Sequence, residues 1–385
     1  MRIAVVYDFG INRGGGDFVM LSILEALDHA RYDVTLETSK PKGFAEAKEI
    51  FQKELDRTET NVISLPNWVP HPYSIAFMTK KIGGKKYDLL ILSDDVPKCL
   101  SDARVISYVH YPHVARLMFR DYVVQRHART LKGRLAFHIH KRIFPTFYPN
   151  KHASDKWFFI ANSMVTKTHL SEALNLSPEK TALLHPPVAS ASITALLNRK
   201  AASKEDLVVC IGRFEPDKRP EDLVHALSLL SAKTGIRVSL VGFGSDRAYV
   251  DGLIETIRSL GLEERVELVL NAGRDVVLDR LFRAKVLVHS AIHEPFGIAV
   301  AEGMAARCIP IVRRGENGPW LEITERGRYG LNFETVEELA SAVEKAVDEY
   351  YSFDTNEIAS KALEFDERRF EGSFLELMQL SLAEN

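Results

Sequence analysis

The chain has few cysteines and no order among them. Cys99, Cys210 and Cys308 are three in 385 residues and stand in no CxxC or Cys/His spacing. That excludes a disulfide-built scaffold and a zinc module, and leads us to expect a reducing compartment with buried, inert thiols. No single sign of charge dominates: Lys+Arg 50 against Asp+Glu 52 leaves a formal net charge of -2. Such a balance speaks against nucleic acid as the main partner. Pro 16 and Gly 22 are ordinary for this length and exclude a low-complexity or collagen-like chain. No apolar run reaches the length of a bilayer-spanning helix. The opening MRIAVVYDFG enters a strand-like run without the layout of a signal peptide. A cytoplasmic protein, or one peripheral to a membrane, is the expectation.

What is present is alternation. Short runs rich in β-branched and aromatic residues occur at 3–7, 32–37, 61–65, 87–92, 104–110 and 156–161, with helical patterns between most of them. Met20, Ile23, Leu24 and Leu27 form one apolar stripe of such a helix. The plan repeats at 207–211, 237–241, 265–270, 285–289 and 308–312, with helices starting near Pro220, Asp246, Arg274 and Gly297. Alternation of this kind predicts parallel sheets with helices on both faces. A chain of 385 residues exceeds one comfortable core, so two domains are expected. HPPVAS and the polar passage ending in KAASKED mark the break. The expected domains are 1–190 and 191–365, followed by a helix over 366–385 that packs back on the first.

The densest chemistry lies in 285–313, KVLVHSAIHEPFGIAVAEGMAARCIPIVR. A buried strand, a polar loop and a small-residue helix place Glu294 just before the helix and Glu302 inside it. A helix start offers free N–H groups and a positive dipole end, suited to a ligand that is part phosphate and part polyhydroxyl. Acids near a helix start as simple dipole partners would read the same. After the strand 207–211, Arg213 and Lys218 leave the strand's carboxyl end, where open α/β sheets bind ligands. Two cations so spaced can straddle a diphosphate, although a solvated loop lysine fits the same residues.

Gly14, Gly15 and Gly16 precede the first helix and allow close backbone approach, or form a plain flexible turn. The stretch is neither GxGxxG nor a P-loop. Gly242 and Gly244 end another strand and suit a base or phosphate, or an ordinary tight turn. His110 ends the strand 104–110 and is read either as facing a ligand or as structural. His185 and His289 are assigned no chemistry. Residues 114–145 are basic and aromatic, with Lys80, Lys81, Lys85 and Lys86 upstream. They form a cationic face for an anionic membrane, a polyanion, or merely solvent.

Together these residues resemble the retaining GT-B glycosyltransferases of family 4 over nearly the whole chain. Glu294…Glu302 matches the E-x7-E motif, GRFEPDK matches G-R-x-x-x-x-K, and FIANS with LHPPV matches the strands before the linker. Val109-His110-Tyr111-Pro112, Glu294-Pro295-Phe296-Gly297-Ile298 and Asn317-Gly318-Pro319 are similar to segments of GDP-mannose-dependent mannosyltransferases of lipid-linked oligosaccharide assembly. Ala306-Arg307-Cys308 and Arg314-Gly315-Glu316 depart from the family pattern.

The resemblance implies two Rossmann-like doubly wound domains facing across a cleft, with the acceptor on the first and the nucleotide-sugar donor on the second. It implies retention without a metal or cofactor, GDP-mannose as donor, and a glycan or lipid-linked acceptor. Arg213 and Lys218 would hold the donor diphosphate, Glu302 the ribose, and Glu294 the sugar hydroxyls. The amides of Phe296, Gly297 and Ile298 would help, Gly242 and Gly244 would approach the donor, Gly14–Gly16 would come near the phosphates, and His110 would face the sugar. A UDP-sugar enzyme with a soluble acceptor, a donor-sugar epimerase or hydrolase, and a non-catalytic sugar-nucleotide-binding subunit are the other readings.

Overall fold

A computed structural model describes residues 1–9, 14–66, 69, 73–83, 86–118, 131–149, 152–200, 203–244 and 246–383. The chain divides into two compact units, Met1–Pro187 with Arg368–Asn385, and Val188–Glu367.

The first unit holds a seven-stranded sheet of β1 (Arg2–Val6), β2 (Asp33–Thr38), β3 (Glu59–Val62), β4 (Leu89–Ser93), β5 (Val105–Val109), β6 (Trp157–Ala161) and β7 (Thr181–Leu183). Its order is β3-β2-β1-β4-β5-β6-β7 and every pairing is parallel. Parallel strands covered on both faces read as continuous apolar runs, and β4 and β5 are buried at every position. One apolar cluster lies on each face of the sheet. The cluster around Ile3, Val5 and Tyr108 includes Phe370, Phe374 and Met378 of the helix Glu367–Ala383, so the end of the chain completes the core of the first unit. The ring of Phe370 meets Tyr108 edge-on at 5.8 Å.

The second unit holds β8 (Glu205–Arg213), β9 (Arg237–Phe243), β10 (Val266–Leu270), β11 (Ala284–His289), β12 (Ile309–Arg313) and β13 (Leu331–Phe333) in the order β10-β9-β8-β11-β12-β13, again all parallel. Where the chain enters and leaves this unit it is tied to itself. Val188 N–H donates to Phe365 O at 2.8 Å, Glu367 N–H donates to Val188 O at 3.1 Å, and Asp366 accepts from Ser190 Oγ at 3.0 Å.

Of the basic stretch read from the sequence, residues 119–130 lie outside the described residues. Two expectations are corrected, and two short strands lie outside the runs read from the sequence. β3 runs over Glu59–Val62 and not 61–65, and its four residues are all exposed, so the apolar run that marked it begins where the strand ends. β7 and β13 are three residues each, too short to show a pattern. Cys99 is exposed in a short turn of helix, unlike the buried Cys210 and Cys308.

Candidate active site

In both sheets the strand order reverses beside the first strand of the unit, between β1 and β4 and between β8 and β11. Ligands of doubly wound sheets bind at the carboxyl ends of the strands flanking such a switch point. β8 ends at Arg213 and the loop after it carries Lys218, while the loop after β11 carries Glu294.

Lys218 is not a solvated loop residue. Its Nζ lies 2.6 Å from Glu294 Oε2, with both side chains 17% exposed. His289, the last residue of β11, brings Nε2 to 3.4 Å from the same oxygen. Burial by itself pushes the Glu294 carboxyl up, but the Lys218 ammonium and the His289 imidazole more than reverse this and hold it well below the usual carboxylate range. Glu294 is therefore an anion in the folded protein, an acceptor of hydrogen bonds and not a proton donor. Arg213 points outward, half exposed, with Nη1 3.1 Å from Glu215 Oε2. Arg213, Lys218, His289 and Ser290 line one small hollow.

The Lys218 loop is held from behind. Arg219 takes a left-handed backbone (φ 48°) and forks onto Asp222 at 2.8 and 2.6 Å. The buried Asp222 also accepts from Arg313, which in turn donates to Ser290 O at 3.0 Å. One carboxylate thus links the loop after β8 to β12 and to the end of β11.

The helix Ile298–Ala305 starts at Gly297, whose φ of 97° and whose neighbour Pro319, 2.7 Å from where a Cβ would stand, admit only glycine. Phe296 is buried, its ring edge-on to Phe365 at 5.1 Å, which anchors the loop so that the amides at the helix start hold their direction. Ile298 packs against the unit's core. The Glu294 carbonyl accepts Gly318 N–H at 2.9 Å, so the Asn317-Gly318-Pro319 turn braces the carboxylate loop. Glu302 does not line the hollow. It meets Arg274, the first residue of the helix Arg274–Arg283, at 2.7 Å. The charge on Glu302 raises the Arg274 pKa against the opposing effect of burial.

Gly242 and Gly244 have packing reasons for being glycine. A Cβ on Gly242 would stand 1.6 Å from Gly212 O on β8, and one on Gly244 would stand 2.5 Å from Val250 Cγ2. Gly14, Gly15, Gly16 and His110 belong to the first unit. Gly14 caps the helix Gly15–His29, and a Cβ on Gly16 would lie 3.4 Å from His110 Nε2 and 3.5 Å from Tyr7 Oη. Burial lowers the His110 pKa, partly offset by Asp94 and Asp17. Its Nε2 is buried without a hydrogen-bond partner among the described residues. Asp94 and Asp95 are occupied as acceptors: His110 N–H and Tyr111 N–H donate to Asp94 at 2.9 and 3.1 Å, and His113 N–H donates to Asp95 at 2.7 Å. Among the described residues no group of three or more His, Cys, Asp or Glu has the geometry to hold a metal ion.

The family described as "Glycosyl transferases group 1" matches residues 196–362, which contain Arg213, Lys218, His289, Glu294 and Glu302. The match lies within the second unit and covers most of it. The chain is 27% identical over 247 residues to a GDP-Man:Man(3)GlcNAc(2)-PP-Dol alpha-1,2-mannosyltransferase of Mus musculus, covering 59% of this chain. The match spans 49% of that relative's length, about half. In fold, the chain is similar to sucrose-phosphate synthase from Thermosynechococcus elongatus (TM-score 0.73, 17% identity, 100% of both chains). It is likewise similar to HepE of Anabaena in complex with UDP and glucose (TM-score 0.67, 18% identity, 98% and 99% of the two chains). Two all-parallel Rossmann-like units with these neighbours are the GT-B fold.

Within the second unit, sequence reasoning missed three residues. His289 had one available signal, its place at a strand's carboxyl end five residues before Glu294. Arg274 had only its helix-start position, and Asp222 none. The two departures from the family pattern have structural partners. Cys308 Sγ donates to the carbonyls of Leu281 and Ala284 at 3.2 and 3.3 Å, beside the half-buried Lys204. Arg314 pairs with Glu334 and Glu338 at 2.8 and 2.9 Å.

Proposed function

We propose that the chain transfers a hexose, mannose from GDP-mannose, to a glycan or lipid-linked acceptor, with retention at the anomeric carbon and without a metal or cofactor. The observation that carries this reading is the Lys218–Glu294–His289 cluster, set beside Arg213 at the β8/β11 switch point. The mannose and the lipid-linked acceptor rest on the motifs and on the name of the mouse relative.

As the glycosidic bond breaks, negative charge grows on the departing diphosphate. Fixed cations at Arg213 and Lys218 stabilise that charge more than the ground state. Lys218 is oriented for the task by its ion pair, and Glu294, kept ionised, accepts hydrogen bonds from the hydroxyls of the transferred sugar. No side chain of the cluster is a free nucleophile, which supports a front-face reaction in which the diphosphate itself leads the acceptor proton away. Glu302 accepts from the ribose while Arg274 steadies its other oxygen. The reading places the protein on the cytoplasmic side, peripheral to a membrane that presents the acceptor.

Isothermal titration with GDP, UDP and GDP-mannose tests the donor. Binding of GDP and GDP-mannose supports the reading, and binding of UDP alone overturns it in favour of a UDP-sugar enzyme. Turnover of GDP-mannose on a dolichyl-linked acceptor should persist in EDTA and vanish in Lys218→Ala and Glu294→Ala. Donor binding without turnover on any acceptor would leave a non-catalytic subunit.

A further inference from the structure

The hollow beside Lys218 contains a polar group that the protein itself leaves unused. Ser290 follows the last residue of β11 and is 1% exposed. Its Oγ is buried and has no hydrogen-bond partner among the described residues. A buried hydroxyl without a partner lowers stability, so nearly all such groups are paired and an exception calls for a reason. Loose placement is not that reason. Arg313, the last residue of β12, donates from Nε to Ser290 O at 3.0 Å and from Nη1 to Glu334 O at 2.8 Å. Its guanidinium lies 4.7 Å from the ring centre of Phe333. The buried Asp222 accepts from the remaining arm of Arg313 and, through Arg219, holds the loop that carries Lys218. One carboxylate therefore sets Ser290 and the Lys218 loop against a common frame. Ser290 lines the same hollow as Arg213 and Lys218, with apolar walls at Ile211, Phe214 and Pro220.

We propose that Ser290 is a further donor-binding residue, whose hydroxyl donates a hydrogen bond to an oxygen of the diphosphate held by Arg213 and Lys218. The inference rests on the functional reading above for the diphosphate itself and adds a third group to its site. The chemistry of the hollow selects a phosphoryl oxygen as the partner. Two cations line it, so the guest is an anion, and a serine hydroxyl turns to donate to whichever oxygen arrives. Apolar walls keep water from competing, which strengthens a hydrogen bond to a charged oxygen. Ser290 moves no proton in this role. Its hydrogen bond shortens as negative charge gathers on the departing diphosphate, and so favours the transition state over the bound donor. The ligand-free protein carries the cost of an unmade hydrogen bond, and the arriving diphosphate removes it.

The test compares the full chain with Ser290→Ala and with Ser290→Cys, which keeps the volume but replaces the hydroxyl with a weak donor. GDP and inorganic pyrophosphate are the probes in isothermal titration, and calorimetry reads the ligand-free transition. Both variants should bind GDP and pyrophosphate about tenfold more weakly, the effect of losing one hydrogen bond to a charged group. The ligand-free midpoint of Ser290→Ala should hold at the wild-type value or rise by roughly 2–4 °C, because an unpaired buried hydroxyl is gone. A serine kept for structure would do the reverse, lowering the midpoint and leaving affinity alone. Unchanged affinity in both variants overturns the proposal and leaves a hydroxyl that serves only a bound water. So does a Ser290→Ala midpoint lowered by more than about 2 °C. The two probes keep this inference apart from the functional reading. A wild type that binds pyrophosphate but not GDP refutes the GDP-sugar donor, while the variants still decide the role of Ser290. A wild type that binds neither probe refutes both.

Discussion

Replacing Lys218 with Met removes the ammonium that sits 2.6 Å from Glu294 and strands a carboxylate that is mostly out of water. Breaking a buried pair from one side costs about 3–5 kcal/mol. His289 remains at 3.4 Å from the same oxygen, so the low end, about 3 kcal/mol, is the expectation. For a unit of this size each kcal/mol moves the midpoint by roughly 2–4 °C, and Lys218→Met should lower the transition of the second unit by about 6–12 °C at pH 7. The pH dependence is the sharper signature. In the wild type the Glu294 pKa is depressed, so the pair's contribution is present above roughly pH 4.3 and is lost as pH falls through the folded value. In the variant, burial acts with its main opponent gone and the carboxyl rises, so acidification lets it protonate and relieves the strain. The gap between wild type and variant should therefore be widest near neutrality and narrow toward pH 4. Lys218→Met/Glu294→Gln, which removes both charges, should recover most of the loss. Differential scanning calorimetry at several pH values measures all three proteins. A gap below about 2 °C, a gap independent of pH, or strictly additive single substitutions would refute the argument.

Arg274→Ala should weaken GDP binding about tenfold in isothermal titration, because it removes a charged hydrogen bond that orients Glu302; tighter binding would mean that Arg274 competes with the ribose. Gly318→Ala would set a Cβ 2.1 Å from Pro295 O, break the bond to the Glu294 carbonyl and cost about 3 kcal/mol or more, seen as an early transition of the second unit. His110 is held neutral by burial, so below roughly pH 6.5 the unfolded chain takes up a proton that the folded one resists, and stability falls with pH. His110→Asn should flatten that fall relative to wild type in calorimetric scans between pH 7 and 5, and an unchanged slope would count against a neutral imidazole.

Much of the fold was legible because a parallel sheet covered on both faces writes itself locally. β4 and β5 are buried at every position and nearly all apolar, and each strand's carboxyl end is followed by a loop whose polar residues stand out against that run. The candidate cluster was legible for the same reason, since Arg213, Lys218 and Glu294 all leave strand ends. β7 and β13 were hidden by their brevity, and β3 was placed two residues late because it has no buried position to fix its start. Cys99 was misjudged because a thiol's burial follows from what packs over it, which no local pattern records.

The sequence by itself determined the alternation of elements, the tandem of two parallel sheets, and the order of charged residues at strand ends, since all of these follow from periodicity and turn chemistry within about 10 residues. Only the tertiary structure decided which charges meet. Lys218 and Glu294 are 76 positions apart and Asp222 and Arg313 are 91 apart. Lys218 reaches the carboxylate of Glu294 because β8 and β11 are neighbours in the sheet. The same long-range packing sends the final helix to the first unit's core. Burial is a property of what else the chain brings to a place, and that is settled only when distant segments condense.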